Sequence, residues 1–90
     1  MPEVWIPALL QPLSGGRQKV SVPGETVRQL IDNLELQFPG MRERLLDDDR
    51  LRPSIAVAVD GVISQQKLRH RLEENSEVHF MPAISGGSRP

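Results

Sequence analysis

Two Gly-Gly pairs, two histidines, an acidic triplet and a short basic run are the residues whose types and spacing offer chemistry. His70 and His79 fall in different segments, and neither has a Ser or Asp partner in the pattern of a nucleophilic triad. Each reads as a satisfied or solvent-facing imidazole. Asp47-Asp48-Asp49 lacks the alternating oxygens and central glycine of a calcium loop, so it reads as a solvated acidic loop. Lys67, Arg69, His70 and Arg71 form a basic cluster of the length usual for an exposed face. Neither a phosphate loop nor a dinucleotide fingerprint is present. The chain has no cysteine, which excludes a disulfide, a thiolate nucleophile of its own and any Cys-ligated metal. Sulfur, if it is handled here, comes from elsewhere.

The glycines remain. Gly15-Gly16 lies between two strand-like segments, where a turn explains it. Gly86-Gly87 follows the last strand-like segment, and no later strand needs connecting. By composition alone, residues 83–90 read as a mobile tail.

The elements that must position these residues follow from periodicity. Val4 to Leu10 reads as a strand with Val4, Ile6 and Ala8 on one face, and Pro7 removes one ladder donor. Gln18 to Val22 resumes the alternation, making a hairpin around the glycine turn the economical reading. After Pro23-Gly24, Thr26 and Gln29 have capping-box spacing. Val27, Leu30, Ile31, Leu34 and Phe38 then form one helical stripe, which Pro39-Gly40 ends. Met41 to Leu46 reads as a short second helix and Asp47 through Pro53 as a loop. Ile55, Val57 and Val59 alternate up to an Asp60-Gly61 turn, followed by a brief Val62-Ile63 strand. In the polar stretch from Gln65 to Asn75 only Leu68 and Leu72 read as core contacts. Glu77 to Met81 alternates again, with Val78 and Phe80 inward. One amphipathic helix on one face of a small mixed sheet is an α+β domain, expected over residues 1–82.

Ninety residues make one domain with a small core. Eleven Lys and Arg against twelve Asp and Glu give a net charge of -1, without the basic surplus that phosphate neutralisation needs. Aromatic residues are 3% of the chain, too few for a base-stacking platform. Nucleic acid is therefore not an expected partner. No apolar run approaches the roughly 20 residues that span a bilayer, and Met1-Pro2-Glu3 does not begin a secretory signal. The expected compartment is the cytosol.

The segments Ile6-Pro7-Ala8-Leu9-Leu10, Thr26-Val27-Arg28, Phe38-Pro39-Gly40 and Val59-Asp60-Gly61 occur in a telling order. With the ending Met81-Pro82-Ala83-Ile84-Ser85-Gly86-Gly87, they resemble the ThiS/MoaD family of ubiquitin-like β-grasp sulfur carriers. The likeness runs from about Val4 to Gly87 and is closest to the carriers linked to cysteine biosynthesis. It implies a non-enzymatic protein that binds no cofactor. An E1-like adenylating partner would use ATP to join AMP to the Gly87 carboxylate, and a persulfide or sulfide would displace AMP to leave a thiocarboxylate. A sulfur-accepting biosynthetic enzyme would then take the sulfur. Gly86 and Gly87 suit a narrow channel because they carry no Cβ. One departure stands out: Ser88-Arg89-Pro90 follows Gly87. Some relatives are trimmed by a zinc metalloprotease, so cleavage between Gly87 and Ser88 is the implied activating step.

Alternation puts Trp5 and Pro7 on the sheet face away from the helix, together with Ala56, Ala58, His79 and Met81. Small and apolar residues there form the expected partner interface. Rival readings are a molybdopterin- or thiamin-type carrier, a ubiquitin-like modifier joined to lysines through Gly87, and a non-covalent β-grasp module with an inert tail.

Overall fold

The computed structural model describes residues 1–83. A five-stranded sheet is built from β1 (Glu3–Trp5), β2 (Lys19–Ser21), β5 (Ile55–Val59), β6 (Val62–Ile63) and β7 (Glu77–Pro82). Their order across the sheet is β2-β1-β7-β5-β6. β1 and β7 run parallel, with Val4 opposite Val78 and Trp5 opposite His79, while the other pairings are antiparallel. The helix α1 (Val27–Gln37) buries Val27, Leu30, Ile31 and Leu34, and these share one core with Val4, Val20, Val57, Val78 and Phe80. Phe38, Leu68 and Leu72 pack on the edge of that core.

α1 begins where its cap predicts. The Thr26 hydroxyl accepts from Gln29 N at 3.2 Å, and Gln29 Oε1 accepts in return from Glu25 N at 2.9 Å. Gly40, at φ +99, turns the chain into α2 (Met41–Leu45), whose Met41 and Leu45 are buried.

Three segments depart from the sequence reading. The first strand stops at Trp5, because Pro7 donates nothing and the chain then enters a 3-10 helix over Ala8–Ser14. Gln11 Nε2 donates to Ile6 O at 3.1 Å, so a side chain takes over where the ladder ends. Ala8 is consequently exposed rather than inward. The expected acidic loop contains a tight hairpin between β3 (Leu46–Asp47) and β4 (Arg50–Leu51). Asp48 and Asp49 both take positive φ (54° and 64°), the two-residue turn that aspartate tolerates, and Leu46 and Leu51 flank it as a buried pair. In the polar stretch, Lys67–Arg69 forms a 3-10 turn, and Arg71 bridges to Thr26 beside the start of α1.

Sheet and helix elements run from Glu3 to Pro82. Of residues 83–90, only Ala83 is among the described residues, so Gly86, Gly87 and the Gly87–Ser88 bond lie outside them.

Candidate functional site

β7 brings the chain to its glycines, and its position fixes their root. It is the middle strand of the sheet, paired from Glu77 to His79 with β1 and from Val78 to Pro82 with β5. Beyond it, Ala83 N donates to Ser54 O at 2.8 Å, a last pin before the tail. The β5 side therefore holds the start of the tail, while β1 pairs with β7 only as far as His79.

The outer sheet face assembles most of the residues that alternation assigns to it. The Trp5 and His79 rings stack at 5.1 Å between centroids with 12° between planes, a direct result of their parallel register. Lys19 Nζ, on the strand flanking Trp5, lies 5.2 Å from the indole centroid in cation–π range. Trp5 Nε1 is buried and has no hydrogen-bond partner among the described residues. Ala56 pairs with Met81 in the register, and both are half-buried. Ala58 lies between His79 and Ile63, and with these larger cross-strand neighbours it is only 5% exposed. It shares the face but does not present a surface, contrary to expectation. Pro7 lies beyond the end of β1, so strand alternation no longer sets its direction; it borders the groove at the end of the sheet.

Neither histidine stands in a catalytic arrangement. His79 belongs to the aromatic stack. His70 Nδ1 lies 2.7 Å from Ser64 Oγ, a contact that the sequence reading did not find because Ser64 is six residues upstream in an ordinary polar stretch. Ser64 is buried, and its oxygen already accepts from Gln66 N and Lys67 N, so the pair organises a turn. Among the described residues, no group of three or more His, Cys, Asp or Glu is arranged to hold a metal ion. No helix among them is long and apolar enough to cross a membrane.

A mixed sheet with a central parallel pair, wrapped on one amphipathic helix, defines a ubiquitin-like β-grasp domain. Solved structures agree. A chain of the crystal structure of the Amycolatopsis orientalis BexX/CysO complex superposes with a TM-score of 0.88 at 28% identity, covering 97% of this chain and all of that one. Small archaeal modifier protein 1 of Haloferax volcanii gives 0.73 at 27% identity, over 92% of this chain and 97% of that one.

The chain belongs to the ThiS family, whose model matches residues 4–87. Sulfur carrier protein CysO of Mycobacterium tuberculosis is 32% identical over 89 residues, covering 93% of this chain and 96% of the relative.

Proposed function

We propose that this protein is a sulfur carrier whose terminal glycine, Gly87, is converted to a thiocarboxylate that supplies sulfur in cysteine biosynthesis. The observation that carries the reading is the family match, which extends through the body and tail to Gly87 and no further. Likeness to CysO over nearly the whole of both chains supports the choice of pathway. β7 suits the role, because a strand in the middle of the sheet, with its last residues paired to β5, lets the body dock while the tail enters a partner.

In the proposed reaction, hydrolysis of the Gly87–Ser88 peptide bond frees the carboxylate. A carboxylate is a poor electrophile because its oxygen leaves badly. Attack of that carboxylate on the α-phosphorus of ATP expels pyrophosphate and gives an acyl-adenylate. Sulfide attacks the carbonyl carbon and displaces AMP; where a persulfide attacks instead, a thiol of the partner cleaves the resulting acyl disulfide, leaving the thiocarboxylate and a disulfide on the partner. ATP is bound by an E1-like partner, and hydrolysis of the extension falls to a processing metalloprotease. The carrier itself is a substrate rather than an enzyme, and it works in the cytosol. Its docking surface is the outer face around Trp5, Ala56, His79 and Met81, with Pro7 at the margin and Ala58 beneath. Ala56→Arg then weakens partner binding by about tenfold without unfolding the domain.

Intact mass spectrometry of the protein recovered from its own host tests the proposal. Loss of Ser-Arg-Pro with one oxygen replaced by sulfur is the expected result. An unmodified mass during sulfur-demanding growth overturns it. The modifier reading draws on the likeness to the small archaeal modifier protein and has its own signature, a Gly-Gly remnant on substrate lysines after digestion.

A further inference from the structure

At the end of the sheet, where β7 releases the tail, a groove of about 600 Å³ is set between the 3-10 helix Ala8–Ser14 and the start of β5. Leu9, Leu10, Ile55 and Pro82 supply its apolar lining, and Arg44 and Arg52 line it as well. Among the described residues, Leu9 is 89% exposed, the highest value of the large hydrophobic residues left in solvent. It is there because the first strand ends early: Pro7 turns the backbone out of the ladder, and the 3-10 helix carries Leu9 over the end of the sheet. Such a side chain gains by burial under a partner.

The charges identify the partner's chemistry. Arg52 donates through Nε and Nη2 to the Glu43 carbonyl at 3.2 and 2.8 Å, which fixes its plane and leaves its other N–H groups free. Arg44 is exposed, and neither arginine has a carboxylate partner among the described residues, whose ion pairs engage Lys19, Arg28, Arg42, His79 and the N-terminus. An apolar slot beside two unpaired guanidiniums is complementary to an apolar side chain flanked by carboxylates. Its place adds the identity. Pro82 and Met81 line the groove, Ala83 leaves beside it, and Met81 also belongs to the outer face, so an occupant here sits against the protein that receives the tail.

We infer that this groove docks an acidic segment with an apolar tip on the enzyme that adenylates Gly87. The inference rests on the carrier reading above, and it adds a contact that adjoins the outer face through Pro7 and Met81. The contact orients the root of the tail as well as adding affinity, because it grips the body within one residue of Ala83.

The test uses the chain ending at Gly87 and the adenylating enzyme of its host, with ATP–pyrophosphate exchange followed against carrier concentration. Leu9→Asp and Arg44→Glu are both surface changes, and Leu36→Asp, on the exposed side of α1, serves as the control. Each groove variant is expected to raise KM for the carrier by about tenfold with kcat little changed, and the control to leave both alone. Added salt should raise the wild-type KM and have a weaker effect on Arg44→Glu. Wild-type KM in either groove variant overturns the docking site while the carrier reading stands. Absence of exchange with the wild-type chain overturns the carrier reading, and the docking site with it.

Discussion

Glu35 reaches from α1 across the Pro39-Gly40 corner and caps the next helix. Its carboxylate accepts from Gly40 N at 3.1 Å and from Arg42 N at 2.8 Å, replacing the side-chain cap that Gly40 cannot provide. The backbone N–H groups of Arg42 and Gly40, with the nearby Arg42 charge, hold this carboxyl below its ordinary value against a smaller opposing effect of burial. A lowered folded value means that the stabilisation is complete above the ordinary glutamate value and disappears as pH falls through the lowered one. Glu35→Gln should therefore cost about 1 kcal/mol at pH 7, and the difference from wild type should shrink in acid. Urea titrations at pH 7 and pH 3 measure both; an equal gap at the two pH values refutes the ionic cap.

Ser64 and His70 give a second test at this scale. With two backbone donors already on Ser64 Oγ, the hydroxyl proton is the one left to bridge to His70 Nδ1. The neutral imidazole should then carry its proton on Nε2, which ¹⁵N chemical shifts report directly. A protonated Nδ1 in the neutral ring contradicts this assignment. No spacing rule predicts the pair, because the 3-10 turn and Lys67 at φ +54 create it.

Among the elements, α1 was fully legible: cap, stripe and stop lie within one stretch of sequence. Thr26→Ala should cost about 1 kcal/mol by exposing the Gln29 amide. Pro23-Gly24 was legible only in part. It does break the strand, but Gly24 has a second role that no pattern shows. A Cβ there would lie 2.7 Å from Leu30 N and 2.8 Å from Leu30 Cα, so the loop passes directly against the helix backbone. Gly24→Ala should lose about 1–3 kcal/mol, as overpacking against backbone does, although alanine normally favours folding over glycine in a compatible conformation. Thermal denaturation decides, and unchanged stability would show that the loop can move away. The first strand and the acidic loop were misread for related reasons. Alternation continues through Pro7 in the sequence while the hydrogen bonds do not, and Asp48-Asp49 looks like solvated charge until its positive φ values form a hairpin.

At the scale of the molecule, the core cluster runs from Val4 to Phe80, so the body has its packing before the tail begins. Removal of everything after Ser85 should leave the melting temperature within about 2 °C, a shift below about 0.5 kcal/mol for a domain of this size. The same truncation should abolish thiocarboxylate formation. A large loss of stability would mean that the tail belongs to the fold, and retained function would favour an inert tail.

The sequence by itself determined the helix, the inward residues of β5 and β7, the lack of any thiol and the order of motifs that places the chain in its family. Those properties are local or compositional, and period and residue type are enough to express them. Only the tertiary structure decided that β7 lies between β1 and β5, that Trp5 stacks on His79, that Ala58 is covered and that Leu9 stands beside Arg44 and Arg52. Each of these depends on which strands become neighbours. That choice is made by burying one shared core across the full length of the chain, and no local window contains it.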